Sequence, residues 1–343
     1  MDKQMSETPS HNLGLDLVRA TEAAALTAGR WVGLGRPEEA DREATERMYA
    51  VLNLVDIEAA VAIGEEARIH SCDRFQSGQC VGTGEGPAVD MVVDPIDGRN
   101  LVAEGLPGAM AVMAVAVGGA LWRPSPAAYM EKIVVDAEAA DDLVPECLDA
   151  PAAWTLALVA RAKSKDVEDL TVFVLNRRRH QHLIAEIREA GAHVVLRNEG
   201  DVTGALMAGC PGNHVDLLMG VGGVPEGLIA ACAMRATDGA MLARLRPQSD
   251  EERAAVLEAG LDLERILVTE EIVTTDQVFF AATGITDGAL ISGVQYRGKR
   301  AESSSLVMRG RTKTRRRIET EHLLAEETEA WQRYVPGKPF RYR

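Results

Sequence analysis

Residues 91–100, MVVDPIDGRN, place two carboxylates at the exit of an apolar run. The run has the character of a buried strand, and Pro95 and Gly98 turn the chain directly after it. One interpretation is an ordinary capped turn, since Asp-Pro begins turns and Asp-Gly ends them. The other is a site for a hard cation, because a turn stiffened by proline aims Asp94 and Asp97 at one place. This stretch leaves both open, since one short turn cannot complete an octahedron of oxygen ligands.

Further acidic residues stand at the ends of other predicted elements. Glu65 follows an apolar run at 59–64, Asp41 opens a predicted helix, and Glu226 lies in GVGGVPEG between a strand and a helix. Each alone is typical of a helix cap or a solvated charge. The ligand-binding sites of α/β proteins lie at strand ends, so the set as a whole indicates a site for several metal ions.

The pattern along the chain predicts helices first and a sheet after them. Apolar residues have helical spacing over 13–33 and 40–54, and runs of strand length follow up to residue 136. From residue 170 to 237 strands and helices alternate, which predicts parallel βα units. The weakly patterned segment 137–167 is expected to connect an N-terminal metal-binding half (13–136) to a C-terminal sugar-phosphate-binding half (168–330).

Two basic runs interrupt an acidic chain. Arg177, Arg178 and Arg179 directly follow a predicted strand, which suits either phosphate recognition or an ordinary charged helix start. The second run, over 309–317, alternates along a predicted strand and is more typical of a solvated or interface face than of a nucleic-acid patch.

Composition narrows the class of protein. The chain has 343 residues, 46% of them hydrophobic, and a formal net charge of −15, which disfavours nucleic acid and anionic membranes as partners. Its five cysteines are scattered without a CxxC pair, as in proteins of a reducing compartment. We see neither a secretory signal nor a long apolar span, so we expect a cytoplasmic protein with no membrane partner.

Several longer motifs carry a family resemblance. AIGEE followed by VVDPIDG resembles the lithium-sensitive, metal-dependent sugar and inositol phosphatase superfamily. Within it, VGTGEGPAVDMVVDPIDG, YMEKIVV, GVGGVPEG, FFAATGIT and RTKTRRRI resemble the bacterial class II, GlpX-type fructose-1,6-bisphosphatases, over about residues 13–325. An inositol monophosphatase is disfavoured, because GVGGVPEG stands where that group has its Trp-Asp signature.

The resemblance implies a fold, a site and partners. The fold implied is a layered α-β-α-β-α arrangement with two sheets. The implied ligands of Mg²⁺ or Mn²⁺ are Asp41, Glu65, Asp94, Asp97 and Glu226. The substrate contacts are Gly98, Tyr129, Arg177, Arg178, Arg179, Gly200, Asp201 and Gly223. A homo-oligomer is implied as well.

The chain also departs from the family pattern. Pro37 stands near the place of a family lysine, and the sequence of the loop at 66–80 differs from the family pattern. Arg99 replaces the threonine that would orient the attacking water, and an arginine cannot accept a proton. We therefore expect a phosphatase adapted to fructose 1,6-bisphosphate or another sugar bisphosphate of six to eight carbons, with Arg99 in the catalytic site. The alternative is a non-catalytic sugar-phosphate-binding protein or a partner of an active homologue.

Overall fold

The computed structural model describes residues 13–64 and 74–324, which form two β-sheets between layers of helices. Within these residues the α-helices are α1 (Leu13–Ala28), α2 (Pro37–Leu52), α3 (Arg99–Glu104), α4 (Ala152–Ala162), α5 (Gln181–Glu189), α6 (Asp201–Gly209), α7 (Val224–Thr237), α8 (Asp250–Glu258) and α9 (Thr269–Ile272). The strands are β1 (Glu58–Val61), β2 (Cys80–Val81), β3 (Ala88–Asp97), β4 (Met110–Val117), β5 (Tyr129–Val135), β6 (Thr171–Leu175), β7 (His193–Arg197), β8 (Leu217–Gly223), β9 (Ala240–Leu245), β10 (Leu267–Val268), β11 (Val278–Gly284), β12 (Gln295–Arg297), β13 (Arg300–Arg309) and β14 (Thr314–Leu323).

The first sheet has the order β12-β13-β11-β4-β3-β1-β2, with β14 also paired to β13. Only the β1/β3 pair is parallel within the described residues. The three middle strands β3, β4 and β11 are buried along almost their whole length. Helices cover both faces of these strands, which explains why their sequences are continuously apolar rather than alternating.

The second sheet has the order β10-β9-β5-β8-β6-β7. Strand β6 runs parallel to both β7 and β8, and the connections between these strands carry α5 and α6. The predicted parallel βα units are therefore confirmed here. Strands β5, β9 and β10 pair antiparallel and complete the sheet.

Alternate side chains of each sheet enter different layers. Met91 and Val93 of β3 pack with α1 and α2, whereas Val92 points into the core around α6 and α7. In the second sheet Val134 of β5 joins that same central core, and Ile133 packs outward with α4 and α5. The order of layers is therefore helix, sheet, helix, sheet, helix, and the predicted two-sheet layered fold is confirmed.

Two regions differ from what the sequence pattern suggests. The weakly patterned segment contains α4, which packs on the second sheet, and Lys163 directly after it lies 2.5 Å from Asp136 and 3.7 Å from Asp216. Strand β9 was not predicted, because its apolar run is short and contains Arg244, which pairs with Glu131 at 3.0 Å. The division into 13–136, 137–167 and 168–330 stays a prediction. No helix of the described residues is both long and apolar enough to span a membrane.

Candidate active site

The exit of β3 is distorted between its two aspartates. Asp94 pairs with Val112 of β4 and Asp97 with Met110, so the register shifts between them. Pro95 lies in this interval and has no N–H to give to the ladder. The Ile96 N–H instead donates to Asp94 Oδ1 at 3.0 Å, which closes a turn and fixes that carboxylate at the strand end.

Gly98 and Arg99 begin the short helix α3. Gly98 has φ 101°, and a Cβ there would lie 2.9 Å from Leu101 Cδ1, so glycine is required by both backbone and space. The Arg99 guanidinium lies 3.8 Å from the buried Asp41 carboxylate of α2. Burial raises the pKa of Asp41, and the positive charge of Arg99 opposes that rise.

Asp97 is the centre of a group of buried carboxylates. It accepts hydrogen bonds from the Thr203 N–H at 3.2 Å and the Thr203 hydroxyl at 3.4 Å, in the first turn of α6. Burial, followed by the negative charges of Glu226, Asp201 and Glu199, raises the pKa of Asp97 to about 8, against the lowering effect of the Thr203 N–H. A cation bound here would offset both the cost of burying the charged carboxylate and the repulsion between the carboxylates.

A buried ion pair supports this group from the second sheet. Lys132 of β5 is almost completely buried, and its ammonium lies 2.5 Å from Asp201 Oδ2 at the start of α6. Strand β8 passes directly over the pair, since a Cβ on Gly222 would lie 1.8 Å from Asp201 Oδ2. The glycine-rich end of β8 is therefore required for the close approach of backbone and ion pair.

Glu199 connects the two parts of the site. It accepts hydrogen bonds from the backbone N–H of Asn100, at 2.9 Å, and from the Asn100 side-chain amide. The Arg177 guanidinium lies 3.8 Å from the same carboxylate. The start of α3, which follows the aspartate turn, is thus tied to the basic segment that follows β6.

Arg179 lies against the end of β8. Its guanidinium donates to the Val221 carbonyl, at 2.8 Å for Nη2, and its Cζ lies 5.3 Å from the centroid of the Tyr129 ring. Tyr129 is in turn the register partner of Gly223. The predicted substrate residues Tyr129, Arg179 and Gly223 therefore form one cluster.

His180 supports this cluster through a hydrogen bond to Val221. The Val221 N–H donates to His180 Nε2 at 2.8 Å, so Nε2 is an acceptor and the ring proton is on Nδ1, which donates to the Leu175 carbonyl at 2.7 Å. Burial and the neighbouring Arg179 lower the pKa of His180, consistent with a neutral ring. Val221 is thus held by His180 at its N–H and by Arg179 at its carbonyl.

The structure brings the predicted residues together in small groups. Asp97 has Glu226 and Asp201 as charged neighbours, Gly200 caps α6 beside them, and Asp41 meets Arg99. Arg178 is exposed beside Arg177 and Arg179. Glu65 lies outside the described residues, so its role as a metal ligand stays a prediction.

The donor chemistry fits a hard divalent cation, although no ready-made centre is formed. Within 13–64 and 74–324, no three His, Cys, Asp or Glu side chains converge closely enough to hold a metal ion. Asp94, Asp97 and Asp201 are turned toward Ile96, Thr203 and Lys132 instead. The buried oxygen donors around Asp97 are nevertheless of the kind that Mg²⁺ and Mn²⁺ prefer.

Sequence reasoning missed four residues of the site. The roles of Lys132, Glu199, Thr203 and His180 depend on partners more than thirty residues away, and for Glu199, Thr203 and His180 the sequence gave no signal. YMEKIVV did contain a signal for Lys132, because a lysine in the middle of a buried strand needs a counter-ion.

Comparisons with known proteins identify the family to which the chain belongs. The family model described as bacterial fructose-1,6-bisphosphatase, glpX-encoded, matches residues 11–322. The chain is 35% identical, over 336 residues, to fructose-1,6-bisphosphatase 1 class 2 of Escherichia coli K12, covering 94% of this chain and 98% of that protein. The class 2 fructose-1,6-bisphosphatases of Escherichia coli O6:H1 and Shigella flexneri match with the same identity and coverage. The chain therefore belongs to the bacterial, glpX-encoded fructose-1,6-bisphosphatase family.

Proposed function

We propose that this protein is a metal-dependent phosphatase that hydrolyses a phosphate monoester of a sugar bisphosphate. The observation that carries the proposal is the buried carboxylate group around Asp97, linked through Glu199 to the exposed basic segment at 177–179. Together they offer a cation site and an anion site on one surface of a member of the family. Fructose 1,6-bisphosphate, or a related sugar bisphosphate of six to eight carbons, is the proposed substrate.

The family is metal-dependent, and Mg²⁺ or Mn²⁺ is the ion we propose. Its ligands would be Asp41, Glu65, Asp94, Asp97 and Glu226. When bound, such ions neutralise charge on the phosphate and lower the pKa of an attacking water. The turn that fixes Asp94 and the Thr203 contacts that orient Asp97 hold two of these carboxylates before any ion arrives.

Arginine side chains are proposed to hold the phosphate that is not hydrolysed. The Arg179 guanidinium is already oriented by the Val221 carbonyl and the Tyr129 ring, and the exposed Arg177 and Arg178 add positive charge beside it. A planar guanidinium binds phosphate oxygens in a bidentate manner, so a pre-oriented one loses little entropy on binding. The remaining proposed contacts are Gly98, Gly200, Asp201 and Gly223.

Arg99 is proposed to contact a phosphate or hydroxyl of the substrate. It is partly exposed beside Asp41, and it has donors but no acceptor. It therefore cannot take the proton of the attacking water, and that task falls to a carboxylate of the site. We further propose that the enzyme acts in the cytoplasm, assembles as a homo-oligomer and has no nucleic-acid partner, given the net charge of −15.

Phosphate release from sugar mono- and bisphosphates of six to eight carbons, with Mg²⁺ or Mn²⁺, tests the proposal. We expect turnover of a bisphosphate that is abolished by Asp94→Asn and retained by the matched control Asp169→Asn, which changes an exposed carboxylate. Metal-dependent binding of the same sugars without phosphate release would instead identify a sugar-phosphate-binding protein. Turnover by Asp94→Asn at the wild-type rate would place the chemistry elsewhere.

A further inference from the structure

Strand β14 is a long edge strand. In the described part of the chain it pairs only with β13, along Thr314–Leu323, and its other edge has no strand beside it. Arg315, Arg317, Glu319 and Glu321 are all exposed along it. An edge of this length offers a row of backbone donors and acceptors to another strand.

The charges on β14 change sign once, at Ile318. Side chains two residues apart share a face of a strand, so Arg315, Arg317, Glu319 and Glu321 lie on one face in that order. Ile318 belongs to the opposite face and packs on the core around α1 and α2. The exposed face is therefore positive before Ile318 and negative after it.

The order of charges along β14 is complementary to that of a second β14 running in the opposite direction. If two copies of β14 run antiparallel with Ile318 opposite Ile318, Arg317 of each copy faces Glu319 of the other, and Arg315 faces Glu321. The neighbouring symmetric registers, centred on residue 317 or 319, place Arg317 opposite itself or Glu319 opposite itself. Directly opposite unlike charges stabilise a strand pair and like charges destabilise it, so the pattern selects the register centred on Ile318.

Contacts within the chain hold these side chains at the edge. Glu319 accepts a hydrogen bond from the Ser304 hydroxyl at 2.7 Å, and Glu321 pairs with Arg300 of β13. Arg315 contacts the Cys210 thiol. A chain with a net charge of −15 repels its own copies, so an interface with complementary local charges is favoured over one without them.

We infer that two copies of this chain pair through β14, antiparallel and centred on Ile318, so that their first sheets become one continuous sheet. The partner is a second copy because the charge pattern is its own complement. Charged residues on an edge strand can also serve to prevent pairing, and the experiment below separates the two roles.

Sedimentation of the purified full-length protein at several concentrations tests the inference. Arg317→Glu and Glu319→Arg each place like charges opposite each other at two symmetric positions, so we expect each to halve the assembled mass or to weaken association about tenfold. An equimolar mixture of these two variants restores Glu–Arg pairing, as does the double variant Arg317→Glu/Glu319→Arg, and both should assemble like the wild type. Arg253→Glu, an exposed charge change on α8, should leave the mass unchanged.

Several results would overturn the inference. A wild-type protein that sediments as a single chain would show that the charges keep the edge unpaired. Single variants that assemble normally would place the interface elsewhere. Folded single variants that dissociate, without restoration in the mixture or the double variant, would show that charge pairing is not the cause. Should either charge reversal fail to fold, Arg317→Gln and Glu319→Gln replace it, and each should weaken association because both symmetric Arg317–Glu319 pairs lose one partner.

Discussion

Replacing Lys132 by Met should destabilise the protein strongly, because it removes one partner of a buried ion pair. The Lys132 side chain is 1% exposed and that of Asp201 8%, and their charged atoms are 2.5 Å apart. Methionine has similar length and can fill the apolar part of the space. The Asp201 carboxylate then remains buried beside Asp97 without its cation. Breaking a buried pair in this way costs about 3–5 kcal/mol.

Denaturant unfolding of the metal-free protein at constant pH, followed by tryptophan fluorescence, measures this loss. The double variant Lys132→Met/Asp201→Asn should recover about half of it or more, because the uncompensated charge is gone. Lys165→Met is the matched control, since Lys165 is 41% exposed and its pair with Asp216 at 2.7 Å should contribute only about 1 kcal/mol or less. A loss below about 1 kcal/mol for Lys132→Met, or strictly additive effects in the double variant, would refute the reasoning.

Three further predictions concern the same region. The pKa of Asp97 rises from 3.8 to about 8 on folding, so between these pH values the folded metal-free protein keeps a proton that the unfolded chain has lost. The stability of the metal-free protein should therefore fall as the pH rises from about 4 to about 8, and the increase in melting temperature produced by Mg²⁺ should grow over the same range. Gly98→Ala should reduce the free energy of unfolding by about 1–3 kcal/mol, through backbone strain and contact with Leu101, measured by denaturant. His180→Gln retains an acceptor long enough for the Val221 N–H, so the substrate KM should rise less than in His180→Asn.

Each of these three has a contradicting result. A metal-induced shift in melting temperature that is constant from pH 5 to about pH 9 would show that Asp97 is not a proton-bound carboxylate displaced by metal. A Gly98→Ala variant as stable as the wild type would mean that the turn relaxes without strain. Equal KM values for the Gln and Asn variants of His180, with normal stability, would mean that its contact with Val221 does not position the phosphate-binding arginines.

The layered fold was predictable because each local signal agreed with the global one. The apolar runs that became β3, β4 and β11 are continuous, as strands covered on both faces must be. The alternation after residue 170 gave the parallel units of the second sheet. The helix α4 and the strand β9 were missed because their stability comes from contacts with distant elements, such as those of Lys163 and Arg244.

The site was predictable only in part. Asp94 and Asp97 stand in a sequence context that aims them at one place, and Asp41, Glu226 and the basic segment stand at the ends of predicted elements. The resemblance added Tyr129, Gly200 and Asp201. The residues that orient them could not be found in this way, because Thr203 reaches Asp97 across 106 positions and Glu199 reaches Asn100 across 99. Such contacts depend on how β3 and α6 meet, which no local pattern encodes.

The most direct test of the central claim is metal binding measured together with turnover. Titration calorimetry with Mn²⁺ should show binding to the wild type and about tenfold or weaker binding to Asp97→Asn, and phosphate release from a sugar bisphosphate should require Mn²⁺ and be lost in that variant. Undiminished phosphate release after complete removal of metal, or equal Mn²⁺ affinity and activity in Asp97→Asn, would contradict the account.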